Sequence, residues 1–333
     1  MATTTGYGWG GGIYGYESDV DVRNSWIVSN TANADLSSSG QGYGGGIYLL
    51  YGTASLVENQ VLNNVAHLSH IGVGGGIHLG YLTQADVLTN VIRGNIGSLD
   101  SSGSVGYYAG GLSIDATSAA YVAGNRIENN AANPIAGGKA GGVYVTHSDA
   151  HLARNWIISN TAYNAGGIYI QSSTPVTLSN NLIARNEASY AGGINVGLGS
   201  PPGSHAVLVN NTIADNGGHG IMVWRYTSLT MTNNIVAGHT TGLYVQNVLT
   251  GTVAADTNLF WNGVEPITGT NGILEDPLLT PDYRLYEGSP PVDAGVAIAW
   301  LKTDLEGSPR PQGQVREEIL PTSPISYRMK GIP

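Results

Sequence analysis

The chain has no cysteine, a single phenylalanine and three lysines among its 333 residues. The missing thiols exclude disulfide staples, thiolate zinc sites and cysteine nucleophiles. Charge is also scarce: 13 basic and 23 acidic side chains leave a formal net charge of −10. That balance argues against a nucleic-acid partner, which needs a basic surface to neutralise phosphates. No run of about 18 apolar residues occurs, so no membrane span is expected. The opening MATTTGYGWGGG lacks a basic region followed by an apolar stretch and enters a repeat almost at once, so it reads as a trimmed mature chain or a fragment without a signal peptide. What the chain has in excess is glycine, 49 residues, about twice the usual frequency of roughly 7%. Its apolar content of 41% suffices for a core.

Internal repetition organises the glycines. One anchor is a glycine, usually two or three, followed by an apolar residue: Ile13, Ile47, Ile77, Leu112, Val143, Ile168, Ile194, Ile221 and Leu243. These are spaced by 34, 30, 35, 31, 25, 26, 27 and 22 residues. The second anchor reads Asn-x-apolar-x-x-Asn, as in Asn155–Asn160 and Asn181–Asn186. Its first position holds Ser25, Asn59, Asn90, Asn125, Asn155, Asn181, Asn211, Asn234 and Asn258. Ile27, Val61, Ile92, Ile127, Ile157, Ile183, Ile213, Val236 and Phe260 follow two residues later. Between the anchors apolar residues alternate with polar ones, as at Val20 and Val22 or Val176 and Leu178. Period two means strands with one buried face. Three short strands per repeat with little helical periodicity describe one coil of a parallel β-solenoid. The Asn is expected to take the left-handed backbone at a sharp corner, which it tolerates. Stacked from coil to coil, its side chains are expected to hydrogen-bond to one another as a ladder.

On these residues the sequence resembles the right-handed parallel β-helix superfamily, the pectin-lyase-like fold, over about residues 8–265. Ala140-Gly-Gly-Val-Tyr144 and Asn155–Asn160 are similar to repeats of bacterial secreted and surface β-helix proteins. The Gly-Gly-Ile and Asn repeats are also similar to those of polymorphic outer-membrane proteins. Asp276-Pro277, Asp282–Leu285, Gly288–Gly295 and Asp304–Pro311 resemble the terminal segment of β-helix proteins that carry a C-terminal surface anchor. The resemblance implies an all-β, right-handed parallel β-helix of about nine to ten coils. It also implies that the glycine strand lies in a groove where the family's long loops wall a polysaccharide. The repeat spans residues 1–270. Nine of the 14 prolines lie from Pro277 onward, and proline removes ladder donors. Residues 271–333 are therefore expected to form a cap or lateral wrap and a tail of the same domain, with 313–333 patternless. Nothing in the sequence caps the first coil, which leaves it open to self-association.

Strand alternation then sets the outward rows. The first runs Tyr14, Tyr48, His78, Ser113, Tyr144, Tyr169, Asn195, Met222 and Tyr244. The second runs Tyr16, Leu50, Gly80, Asp115, Thr146, Gln171, Gly197, Trp224 and Gln246. The glycine before each first-row residue is expected to face outward too, as a flat floor. Tyr48, Tyr144, Tyr169 and Trp224, with Asp149 and Lys139, are the expected glycan contacts. His78 and Asp115, supported by His147, are the expected acid–base residues. His67, His70, Asp100, Tyr107, Tyr108 and Lys139 lie on neighbouring loops. Gly218-His219-Gly220 resembles a polygalacturonase segment, but its companion motifs are missing, as is a groove aspartate cluster for calcium-dependent lysis. No cofactor and no metal are expected. The glycines precede strands rather than a helix, so they form no phosphate loop, and the His67/His70 spacing is weak evidence for zinc.

The resulting expectation is an extracellular or cell-surface protein that binds a glycan or polysaccharide. Its leading activity is glycoside hydrolysis. The alternatives are a non-catalytic adhesin or structural β-helix, and a His/Tyr polysaccharide lyase.

Overall fold

The computed structural model describes residues 6–36, 40–100, 107–135, 137–172, 175–197, 203–246, 251–263, 269–286 and 288–310. The repeat closes into stacked coils of parallel strands. One coil shows the plan. Ile77–Gly80 follows the glycines as the first strand, and Gln84–Leu88, Val91–Arg93 and Ile96–Ser98 follow as second, third and fourth. A fifth, Tyr107–Ala109, leads to the next glycine pair. First and second strands belong to one sheet, because Ile13–Arg23 and Ile47–Val57 run unbroken through both positions. Third strands make a nine-stranded sheet among the described residues.

Three strands per coil is thus too few for the first six coils, whereas the last three keep three each among the described residues. The segments between the second Asn and the next glycines stack on their own counterparts, as Gly6–Trp9, Gly40–Tyr43 and Ile71–Val73 do. Backbone groups in an arch must pair somewhere, and arches of similar length pair with each other.

Alternation fills the interior as the pattern demands. Ile47, Ile77, Leu112, Val143, Ile168, Ile194 and Ile221 are buried in one core with Leu56, Val87 and Val122 from second strands and Val61, Ile92 and Ile157 from third strands. Each such side chain contributes about 1.5–3 kcal/mol. Phe260 closes the third-strand column, with its amide donating to Ile273.

Two ladders, not one, flank each third strand. Asn59, Asn90, Asn125, Asn155, Asn181, Asn211, Asn234 and Asn258 form the first. Asn30, Asn64, Asn95, Asn130, Asn160, Asn186 and Asn216 form the second, which His239 terminates through a 3.2 Å contact to Asn216. Asn155 shows the pattern. Its Oδ1 accepts from the amide and Nδ2 of Asn125, and its Nδ2 donates to Asn181 Oδ1 and to the Val122 carbonyl.

The left-handed backbone falls one residue earlier than expected. Glu58, Thr89, Arg154, Asn180, Asn210 and Asn233 precede first-ladder rungs, and Asn63, Asn129, Ser159, Arg185 and Asp215 precede second-ladder rungs, all with φ between 51° and 58°. The turn therefore sits before the rung, and the rung itself points inward.

Some of these corner residues hold the C-terminal segment. Asn180 Nδ2 donates to the Thr303 carbonyl, and Arg185 Nε donates to Tyr283 Oη, which donates to Asp215 Oδ2. Asn233 exchanges two hydrogen bonds with Val296. Tyr283 and Leu305 pack on Leu182, Ala184 and Ala214. The segment thus runs along the flank of the third-strand sheet and reaches back to His151, whose ring meets Trp300 at 5.9 Å. The patternless stretch 313–333 lies outside the described residues.

Candidate functional site

The first outward row stacks in the expected register: Tyr14, Tyr48, His78, Ser113, Tyr144, Tyr169, Asn195, Met222 and Tyr244 are successive strand partners. None of them joins the solenoid core. Yet most are not open. Tyr48, Tyr144 and Tyr169 are only 7%, 3% and 1% exposed. Ala109, Ala140 and Ala165, the residues before the glycine pairs, cover Tyr144 and Tyr169. Tyr48 lies between the rings of Tyr14, Tyr43 and His78 at 5.2–5.7 Å. The expected row of open tyrosine faces is corrected: the arch strands fold over it.

The glycine floor is corrected as well. A methyl at Gly46 would stand 3.1 Å from Val61 Cγ1 and 3.0 Å from Asn64 Nδ2, and one at Gly142 would stand 2.9 Å from Ile157 Cγ2. These glycines face the interior. The chain bends at them, so the alternation does not extend back past the first apolar residue, and their lack of a side chain lets the third strand close in.

Where the arches leave the first strands uncovered, a pocket of about 370 Å³ opens, a size typical of small-ligand sites. Ser113, Asp115, Thr146 and Gln171 come from first strands, Tyr43 and Tyr108 from the arches, and Tyr81 and His147 from the corner that follows the first strand. At that corner Glu17, Tyr51, Tyr81, Ala116, His147 and Ser172 all adopt φ of 47–57°. His147 therefore owes its backbone to the fold and not to a local distortion. Its Nδ1 lies 2.9 Å from Thr146 Oγ1 and 3.9 Å from Asp115 Oδ1. Burial raises the Asp115 carboxyl above the usual carboxylate range, against the opposing pull of His147 and the Ala116 amide.

The sequence model of the family described as a right handed beta helix region matches residues 110–274. The chain is a right-handed parallel β-helix protein. No curated protein and no solved structure matches it.

Of the acid–base residues expected in this β-helix, the pocket gathers Asp115, His147 and His78, but with altered parts. Complete burial pushes the His78 imidazole down to about 3, so it stays neutral and forms the floor. His147, expected only in support, is the partner of Asp115. Tyr144 lines the pocket and donates its hydroxyl to Gln171 Oε1 at 3.1 Å. Tyr48, Tyr169, Lys139, Asp149 and Trp224 are not part of its lining. Lys139 Nζ lies 5.4 Å from the centroid of the Tyr169 ring, and burial lowers its pKa. Asp149 is exposed and acts electrostatically on His151 of the second strand. Trp224 packs against Tyr190 at 6.4 Å. His219 stacks on Tyr244 at 4.5 Å. His67 is buried and accepts hydrogen bonds from the Ser69 and His70 amides at Nδ1, a turn-forming role.

Tyr43, Tyr81, Ser113, Thr146 and Gln171 line the pocket without being among the site residues expected from the sequence. The signal for Tyr81 was its place, one residue past the second outward row.

Proposed function

We propose that this β-helix protein is a carbohydrate-active protein of the cell exterior whose pocket takes a short, uncharged glycan segment. One observation carries the reading. A single cavity sets the tyrosines Tyr43, Tyr81, Tyr108 and Tyr144 against the polar groups of Ser113, Asp115, Thr146 and Gln171, with no Lys or Arg among the described residues of its lining. Tyrosine joins an apolar ring to a hydroxyl, which matches a sugar's C–H face and rim of hydroxyls. The missing cation disfavours a polyuronate and, with it, the lyase alternative.

Turnover is a second reading, and the Asp115–His147 pair favours it. β-Helix proteins include glycoside hydrolases and lyases as well as adhesins. In hydrolysis, protonated Asp115 donates to the glycosidic oxygen as the bond to the anomeric carbon breaks. Water attacks that carbon and yields its proton to His147 Nε2, the ring atom left for a ligand once Nδ1 is anchored. His147 thus replaces the second carboxylate of most glycosidases.

A panel of uncharged glycans, read for binding and for reducing ends released, tests both. Binding is expected, weakened by Tyr108→Ala. If the pair is catalytic, Asp115→Asn lowers kcat by about 10²–10⁴-fold, and the rate declines as pH rises through the raised Asp115 pKa. Binding without product leaves an adhesin. An ultraviolet-absorbing unsaturated product indicates the lyase. A wild-type protein that binds no glycan overturns the reading.

A further inference from the structure

A second hollow, of about 260 Å³, lies over the first coil and is lined only by aromatic rings and one leucine: Tyr7, Trp9, Tyr14, Tyr16, Tyr43, Tyr48 and Leu50. In contrast to the covered tyrosines farther along, Trp9 and Tyr14 are 46% and 48% exposed. Their rings are held. Tyr7, Trp9, Tyr14 and Tyr48 stack in series at 5.7–6.3 Å with interplanar angles of 17–23°. The hollow is continuous with the pocket in two ways. Tyr43 lines both. Tyr16, Tyr51 and Tyr81 also touch ring to ring at 5.4–5.5 Å, and Tyr81 reaches the pocket wall.

We propose that this hollow is a second glycan subsite, so that the preferred ligand is an uncharged oligosaccharide lying from the Asp115–His147 pocket to the rings of Trp9 and Tyr14. The inference rests on the pocket being a glycan site. From Tyr16 in the hollow to Gln171 at the far wall of the pocket is five strand spacings of about 4.8 Å, or roughly 24 Å, which about five pyranose units span. Among the described residues no Asp, Glu, His, Lys or Arg lines the hollow, and Glu17 and Asp19 stand exposed on the same strand, where Asp21 is ion-paired with Arg23. That acidic edge disfavours polyanionic glycans. It also disfavours a second copy docking the same end face to face, because like charges would meet. Prealigned rings lose little freedom when a sugar stacks on them, which is how preorganised sites gain affinity.

The test is calorimetric titration of the full chain with neutral gluco-, manno- and xylo-oligosaccharides, from disaccharide to hexasaccharide. Affinity is expected to rise with length up to about the pentasaccharide. Trp9→Ala and Tyr14→Ala should each weaken hexasaccharide binding roughly three- to tenfold and leave disaccharide binding unchanged. Trp9→Phe keeps the stacking face, so it should retain affinity while losing the ligand-induced change in tryptophan fluorescence. Unaltered thermal unfolding of the variants shows that the fold is intact.

The outcomes separate the two claims. Disaccharide binding that Tyr108→Ala abolishes, with no gain from length and no effect of Trp9→Ala, sinks the subsite and spares the pocket. Long-chain binding lost in Trp9→Ala but untouched by Tyr108→Ala keeps the subsite and removes the pocket from glycan recognition. No binding at any length removes both. A dimer that Trp9→Ala dissolves and hexasaccharide does not also overturns the proposal.

Discussion

The two faces of the coil wall treat buried polar groups in opposite ways. On the inside, each ladder Asn meets its partners, as Asn155 does with Asn125, Asn181 and Val122. On the outside, His78 Nδ1, Ser113 Oγ and both polar atoms of the Asn195 side chain are buried with no hydrogen-bond partner among the described residues. Leaving such a group unmet costs about 1–3 kcal/mol. A fold that satisfies the amides of its ladders has the means to avoid that cost. The difference separates a side of the wall built for stability from a side that, at His78 and Ser113, keeps polar groups in reserve at a pocket.

Removing a rung should break the comparison hardest. Asn155→Ala strips the Asn125 amide and the Val122 carbonyl of buried partners, and is expected to cost about 3–5 kcal/mol. Urea denaturation measures it. A loss below about 1 kcal/mol would mean that the ladder is ornamental.

Acid should come next. The imidazoles of His78 and His239 are pushed down to about 3 and about 4 by burial. As pH falls below 6.5 the unfolded chain takes up protons that the folded chain refuses. Stability present above pH 6.5 is therefore lost progressively, until each folded histidine titrates near its own depressed pKa. The slope is about 1.4 kcal/mol per pH unit for each histidine. His239→Asn puts an Asn at the end of the second ladder and should reduce the slope, to which the lowered His67, His151 and His219 also contribute, as read from denaturation midpoints between pH 7 and pH 4.

Ser113→Ala should do least. Its hydroxyl is buried without a partner, so its removal takes away an unmet polar group and is expected to leave stability unchanged or raise it by up to about 1 kcal/mol. A loss as large as that of Asn155→Ala would erase the distinction between the two faces.

The columns were legible in the sequence because two simple periodicities write them. Alternation put Ile47, Leu49 and Leu56 inside, and the recurring Asn marked the corners. What escaped depends on contacts between coils rather than within one. The left-handed residue is offset by one from the Asn, and its identity varies from Glu58 to Thr89 to Arg154, so it carries no compositional mark. Gly46 and Gly142 looked outward only because alternation was extended through a bend. The cover over Tyr144 and Tyr169 did leave a trace, the alanines Ala109, Ala140 and Ala165 before the glycine pairs, but a small residue there reads equally well as loop. Asp115 was placed in the groove by register alone, whereas its pairing with His147 needed the corner geometry. The role given to His78 failed because burial, which titration depends on, is not written in a row of outward positions.

The two ladders stand five residues apart in every coil that carries both, from Asn59 and Asn64 to Asn211 and Asn216, while whole repeats range from 22 to 35 residues. Length is thus forbidden to vary in one place and free to vary in another. Insertions and deletions are absorbed mainly by the arches, where they reshape the walls of the cavity without disturbing the corner beneath, and to a lesser degree between the first strand and the first ladder, 12 residues from Ile47 to Asn59 but 17 from Ile194 to Asn211. The protein is a chassis of constant pitch with interchangeable fittings, and its specificity can drift, or be redesigned, one arch at a time.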